Sequence, residues 1–177
     1  ILTIAQQAEK DVKLTAIDYS QPMLDIAARK SKRFGLEKRV TFVHGDVTSL
    51  PFPDGSFDCV GISFAFRNLT YKNPHGTRHF PEVLRVLKPG GKYVVLETSQ
   101  PRSMFVRGLF HLYLRWFAYP VGYLISGNKG AYRYLAESAA HFYTAEEIKG
   151  MLLTTGFRQV SYKPLLWGAA GIHVAVK

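Results

Sequence analysis

Two acids stand where runs of strand-forming residues end. "VKLTAID" (12–18) closes on Asp18 and "RVTFVHGD" (39–46) closes on Asp46, each ahead of a polar turn. In open α/β sheets, ligands bind beyond the carboxyl ends of the strands, near the switch in strand order. A carboxylate at Asp18 can accept two hydrogen bonds from a ribose diol. Asp46 can accept from an exocyclic adenine amine, with the backbone N–H of Val47 serving a ring nitrogen. A solvated acid at one strand end is commonplace; its repetition at successive strand ends is what points to a nucleoside ligand. A third strand runs into "SFAFRN" (63–68), bringing Ser63, Arg67 and Asn68 to the same edge. Arg67 stays protonated at neutral pH. The competing reading of Arg67 is a structural pair with a helix carboxylate such as Glu82.

The elements that must hold these residues alternate. A helical pattern covers residues 2–10, and "VKLTAID" is a strand. "QPMLDIAARKSKRFG" is a helix with Ser20 as its N-cap, Pro22 in its first turn, basic residues in its last and Gly35 closing it. "RVTFVHGD" is a strand, and "DCVGISFAF" reads as a strand buried on both faces. A helix containing "HFPEVLRVL" is stopped by the turn "KPGG", and "KYVVLETS" is a further buried strand. "TAEEIKGMLLTTGF" has a capping box, Thr144 with Glu147, and a closing Gly156. "RQVSYKPLL" and "GIHVAVK" are final strands close enough to pair antiparallel. The alternation predicts an α/β fold with a mostly parallel sheet, an antiparallel terminal strand and helices on both faces.

The 177 residues are 47% hydrophobic and 20% charged, suited to one globular domain. The single cysteine, Cys59, lies in an apolar run, reads as a small core residue and excludes an intrachain disulfide. Its solitude fits a reducing, cytoplasmic compartment. No signal peptide is evident, and no run approaches the ~20 apolar residues of a membrane span. His75 and His79 are four apart, but a metal is not expected without a third ligand.

The formal charge of +10 asks for an anionic partner. Residues 98–136 contain no acid, five basic residues and nine aromatics. Read as a helix, Arg107, His111 and Arg115 form one stripe, and Phe105, Leu109, Leu112 and Trp116 another. Such a segment suits the surface of an anionic membrane, a lid over an apolar tail, or an ordinary packed cap. Nucleic acid is the alternative, as a basic RNA-binding module. The scatter of basic residues over several elements speaks against it.

"GDVTSLPFPDGSFDCV" followed by "RVLKPGGKYVVLETS" resembles the core of class I S-adenosylmethionine-dependent methyltransferases. More narrowly, the chain is similar to the ubiquinone/menaquinone biosynthesis C-methyltransferases of the UbiE type. "RVLKPGGKYVVLETS" (85–99), "SFAFRN" (63–68), "AYRYLAESAAHF" (131–142) and "AAGIHVAVK" (169–177) resemble that family's segments, in order. Ala65 departs from the family's glycine. The family's glycine-rich first motif does not occur, and "ILTIAQQAE" looks like the helix that follows it. The expectation is therefore an N-terminally truncated single domain, 1–177, lacking a first strand between those at 12–18 and 58–66. A helical lid insertion covers about 101–143.

The resemblance implies methylation at carbon of a polyprenylated quinol ring, with S-adenosylmethionine as cofactor. It implies cofactor contacts at Asp18, Tyr19, Asp46, Val47 and Ser63, and catalytic roles for Arg67, Asn68 and His173. Arg67, Tyr132 and Tyr134 would line the acceptor's ring pocket. The expected partners are a lipophilic quinol and, peripherally, an anionic membrane. A different lipophilic acceptor, such as a sterol or phenolic metabolite, is the alternative within enzymes.

Overall fold

The computed structural model describes residues 1–70, 73 and 76–177, apart from the side chain of Lys129. It comprises two compact units, Ile1–Phe52 and Pro53–Lys177.

In the first unit, helix α1 (Leu2–Gln7) leads to strand β1 (Leu14–Asp18), helix α2 (Gln21–Arg33) and strand β2 (Val40–His44). α1 is shorter than the pattern predicts, stopping before the charged "EKD". β1 and β2 pair in parallel, Leu14 opposite Val40 through to Asp18 opposite His44. Ala5, Leu36 and Val40 form a small core, with Leu2, Leu14, Ala16 and Phe42 packed on it. α2 has Pro22 in its first turn and Lys30, Lys32 and Arg33 in its last, where cations complement the carbonyl end. Ser20 precedes this helix, yet its side chain makes no capping bond. The carboxylate of Asp18 instead accepts the Ser20 N–H at 2.8 Å.

The second unit begins with β3 (Phe57–Ser63), α3 (Phe66–Thr70), α4 (His79–Val86) and β4 (Leu87–Thr98). The insertion follows: α5 (Met104–Tyr113), a π-helical turn (Leu114–Ala118), α6 (Tyr119–Ser126) and α7 (Lys129–Ala140). α8 (Ala145–Thr155), β5 (Gln159–Leu165) and β6 (Ala170–Val176) complete it. The strand order is β3-β4-β6-β5, with β3 and β4 parallel and β6 antiparallel to both of its neighbours. The capping box at Thr144 and Glu147 forms in full, and Gly156 closes α8 in a left-handed conformation, φ +116°. Tyr93, Val95, Glu97, His173 and Ala175 are all buried. Cross-strand pairing puts them on one face of the sheet, because partners share a face and alternate residues along a strand do too. Tyr93 stacks on Phe157, and Phe66 packs on Phe80 and Phe142.

β3 corrects the sequence reading. It is not buried on both faces: alternate residues are exposed, and Cys59 is among them. The reason is its place at the sheet edge, with a strand partner on one side only among the described residues. β4 likewise buries every second side chain, not all of them.

Candidate active site

In the first unit, the carboxyl ends of β1 and β2 lie side by side, since Asp18 pairs with His44 and the Gly45 N–H donates to the Asp18 carbonyl at 3.1 Å. Both predicted acids are exposed at this edge. One oxygen of Asp18 holds Ser20, and the other has no partner among the described residues. One oxygen of Asp46 accepts both the backbone N–H and the hydroxyl of Thr48, each at 2.8 Å. Those two bonds hold the Asp46 carboxyl below the usual carboxylate range, so it is a fixed anion at neutral pH. Tyr19 is exposed, its carbonyl accepting from His44 Nε2 at 2.9 Å and its ring lying 6.0 Å from the His44 ring. Gly45 is closely covered: a Cβ there would meet Ile17 Cδ1 at 2.9 Å.

In the second unit, β3 ends at the exposed Ser63, and the chain turns sharply through Phe64. This residue has φ +52°, a left-handed conformation that costs a non-glycine residue energy and often marks functional turns. The Phe64 N–H is tied to the Leu96 carbonyl at 2.9 Å. α3 then carries Arg67 inward and leaves Asn68 exposed. The Arg67 N–H donates to Glu97 Oε2 at 3.1 Å, while Glu97 Oε1 accepts the Thr98 N–H. The guanidinium is buried; Nη1 donates to the Leu135 carbonyl at 3.2 Å and to Ser138 Oγ at 3.0 Å. Its Nε has no partner among the described residues. The competing pair with Glu82 does not form, because Glu82 binds Arg85 at 2.9 Å through both of its oxygens.

The remaining predicted residues fall elsewhere. His173 sits inside β6 opposite Val95; its Nε2 donates to the Ala145 carbonyl at 3.1 Å and its ring lies 4.7 Å from that of Tyr162. It is buried beneath the start of α8, and its Nδ1 has no partner among the described residues. Burial lowers its pKa below that of an ordinary imidazole. Tyr132 fills the space beside Gly122, where a Cβ would lie 2.0 Å from its ring, so it serves α6–α7 packing. Tyr134, one turn before Ser138, is partly exposed, and its carbonyl accepts from the Ser138 hydroxyl. His79 is buried, donating from Nδ1 to the Gly76 carbonyl at 2.6 Å with Nε2 3.3 Å from the Tyr93 hydroxyl. His75 lies outside the described residues.

Three residues that sequence reasoning passed over bind this region together. Glu97 anchors α3 to β4. Gln100 donates to the Ala139 carbonyl at 2.7 Å and accepts from His111 Nε2 at 3.0 Å, tying α5 and α7 to the end of β4. Ser138 receives Arg67. For Glu97 a signal existed: a charge inside the apolar run "KYVVLETS" is costly to bury and must be satisfied. Ser138 lay within "AYRYLAESAAHF", a segment that resembles the family's, and Gln100 carried none.

Solved structures share this fold. A SAM-dependent methyltransferase from Aquifex aeolicus superposes with TM-score 0.66 at 18% identity, covering 99% of this chain and 73% of that one. Another, from Methanosarcina mazei, gives 0.63 at 22% identity, covering 99% of this chain and 85% of that one. The fold is thus that of the α/β methyltransferases. Sequence goes further: the model of the ubiE/COQ5 methyltransferase family matches residues 1–177, and the chain belongs to that family. A demethylmenaquinone methyltransferase of Thermus thermophilus is 44% identical over 163 residues, covering 92% of this chain and 70% of the relative. One from Geobacillus stearothermophilus is 36% identical over 176 residues, covering 99% of this chain and 73% of the relative.

Proposed function

We propose that the protein methylates a ring carbon of a polyprenylated quinol, the reaction of menaquinone or ubiquinone biosynthesis, with S-adenosylmethionine as donor. The relatives' names support a quinone-ring acceptor. The observation that carries the residue assignment is the buried Arg67, locked by α7 through Nη1 and keeping Nε unengaged, beside the exposed Asn68.

The residues at the β1–β2 edge fit the donor. Asp18 offers a carboxylate oxygen to a ribose diol, and Asp46 is a held anion suited to an adenine amine, with the Val47 N–H beside it. Tyr19 offers an exposed ring to the same nucleoside. In the second unit, Ser63 offers an exposed hydroxyl at the end of β3. When bound, the donor supplies a methyl group already activated on a sulfonium, so the protein's work is alignment and the acceptor's proton. Loss of a phenolic proton pushes electron density onto the ring carbon that forms the new bond. Arg67 remains a cation and stabilises the developing phenolate, or orients a water that takes the proton. Asn68 orients a ring oxygen, and Tyr134 stands near the same segment of α7. The proton on that ring carbon would then pass to water, and the ring regains aromaticity. His173 is assigned a structural part, because its ring is enclosed and its Nε2 committed.

We treat residues 1–177 as one methyltransferase domain carrying a helical lid, residues 101–143. The test is turnover with methyl-labelled donor, comparing demethylmenaquinol with the benzoquinol precursor of ubiquinone. Label in one or both quinols is expected, and transfer only to a sterol or simple phenol would contradict the proposal.

A further inference from the structure

The amino ends of β1 and β2 form an edge opposite the one that carries Asp18 and Asp46, since parallel strands start together. Over two five-residue strands the edges lie roughly 13 Å apart. A cavity of about 360 Å³ opens at this amino edge, lined by Lys10, Lys13, Lys38 and Arg39 with Thr15 and Thr41. Asp11 is the one acid in its lining. Thr15 and Thr41 are partners across the ladder, so their side chains share a face, the one turned away from the Leu14 and Val40 row of the small core. The three lysines are exposed, and no ion pair engages any of the four cations among the described residues. Arg39 is fixed through Nη2, which donates to the Ala8 carbonyl at 3.2 Å and to the Glu9 carbonyl. Its Nε is buried with no partner among the described residues.

We infer that this cavity binds a diphosphate group. Four cations against one acid give it a net charge of +3, part of the chain's formal +10. Like charges gathered in one cavity repel one another, and an anion of several charges relieves that repulsion where a single carboxylate cannot. The residue types select phosphate. Lysine binds it as a point charge, arginine presents a planar fork to two oxygens, and threonine hydroxyls donate to others. The unpartnered Nε of Arg39 is a buried donor of the kind that a bound anion satisfies. A cavity of this volume admits a small molecule. The methyl donor belongs at the other edge: it carries no phosphate, and its sulfonium would add a further positive charge here. The inference therefore concerns a second ligand, bound apart from the nucleoside.

The test is calorimetric titration of the full 177-residue chain with inorganic pyrophosphate, ADP, AMP and inorganic phosphate, at low and at high salt. Saturable one-to-one binding of pyrophosphate is expected, weaker at high salt, with inorganic phosphate held about tenfold or more less tightly. ADP bound more tightly than pyrophosphate, with AMP weak, would make a nucleotide the source of the diphosphate; the reverse order would make it the free anion. Lys13→Ala with Lys38→Ala should weaken pyrophosphate binding by about tenfold or more. The charge-matched pair Lys32→Ala with Arg33→Ala alters exposed residues at the end of α2, outside the cavity lining. It should weaken binding by about threefold or less, because solvent and salt screen charges that do not touch the anion. Both variants are checked for folding by circular dichroism. Saturating S-adenosylmethionine should leave the pyrophosphate affinity unchanged. Absence of saturable binding to the folded chain would overturn the inference, as would displacement by the methyl donor. Equal losses in the two double variants would overturn it too, reducing the site to general surface charge. So would a single-stranded oligoribonucleotide that displaces pyrophosphate at lower concentration, since the edge would then be a nucleic-acid surface.

Discussion

Arg67 is held twice, by its backbone on Glu97 and by its guanidinium on α7, so its position is fixed before any acceptor arrives. Its charge matters most when the phenolate forms. Arg67→Ala is therefore expected to lower kcat by roughly 10²-fold or more while leaving donor affinity nearly unchanged. Calorimetry and turnover on one folded preparation check this, and equal turnover would remove Arg67 from the chemistry. Asp18→Ala should act the other way, weakening donor binding by about 1.5–3 kcal/mol for a lost charged hydrogen bond; unchanged calorimetric affinity would contradict its assignment. At this scale the strand-end acids were legible, because position at a strand terminus and side-chain type together restrict what they can do. The surroundings of His173 were not, because what packs above an imidazole in a strand depends on a distant element, here Ala145 of α8.

Among the elements, strand–helix alternation, the antiparallel final pair and the α8 capping box were readable from periodicity and caps. The face β3 shows to solvent was not, since an apolar run looks alike at a sheet's centre and at its edge. The insertion's orientation was equally hidden: an amphipathic helix has two stripes, and buried acceptors at Pro101 and Gln100 decided which turned inward. Gly122 supplies a direct test of this packing. A side chain there would press on the Tyr132 ring, so Gly122→Val is expected to destabilise the protein by about 1–3 kcal/mol. Tyr132→Ala in the same chain should recover much of that loss in Tm. Additive losses would show that the two residues do not share one space.

At the scale of the molecule, two buried imidazoles link folding to pH. Burial lowers the pKa of both His79 and His173, outweighing the carbonyl hydrogen bonds that favour protonation. Below about pH 6.5 the unfolded chain takes up protons at these sites while the folded protein resists. Stability is then complete above that pH and falls as the medium is acidified toward the folded-state values, by up to ~1.4 kcal/mol per pH unit for each site. Urea melts from pH 7 to pH 5 should show the decline, and His79→Phe should flatten part of it. A slope unchanged in that variant would assign the acid sensitivity to other groups. The central claim, transfer of a methyl group to a quinol ring carbon, is tested most directly by the position of the label. With a ¹³C-methyl donor at saturating concentration and demethylmenaquinol as acceptor, carbon NMR of the product should show an aryl C–CH₃ signal that accumulates far more slowly when Arg67→Ala replaces the parent. An O–CH₃ signal, or an unlabelled quinol from folded, donor-bound protein, would contradict the account.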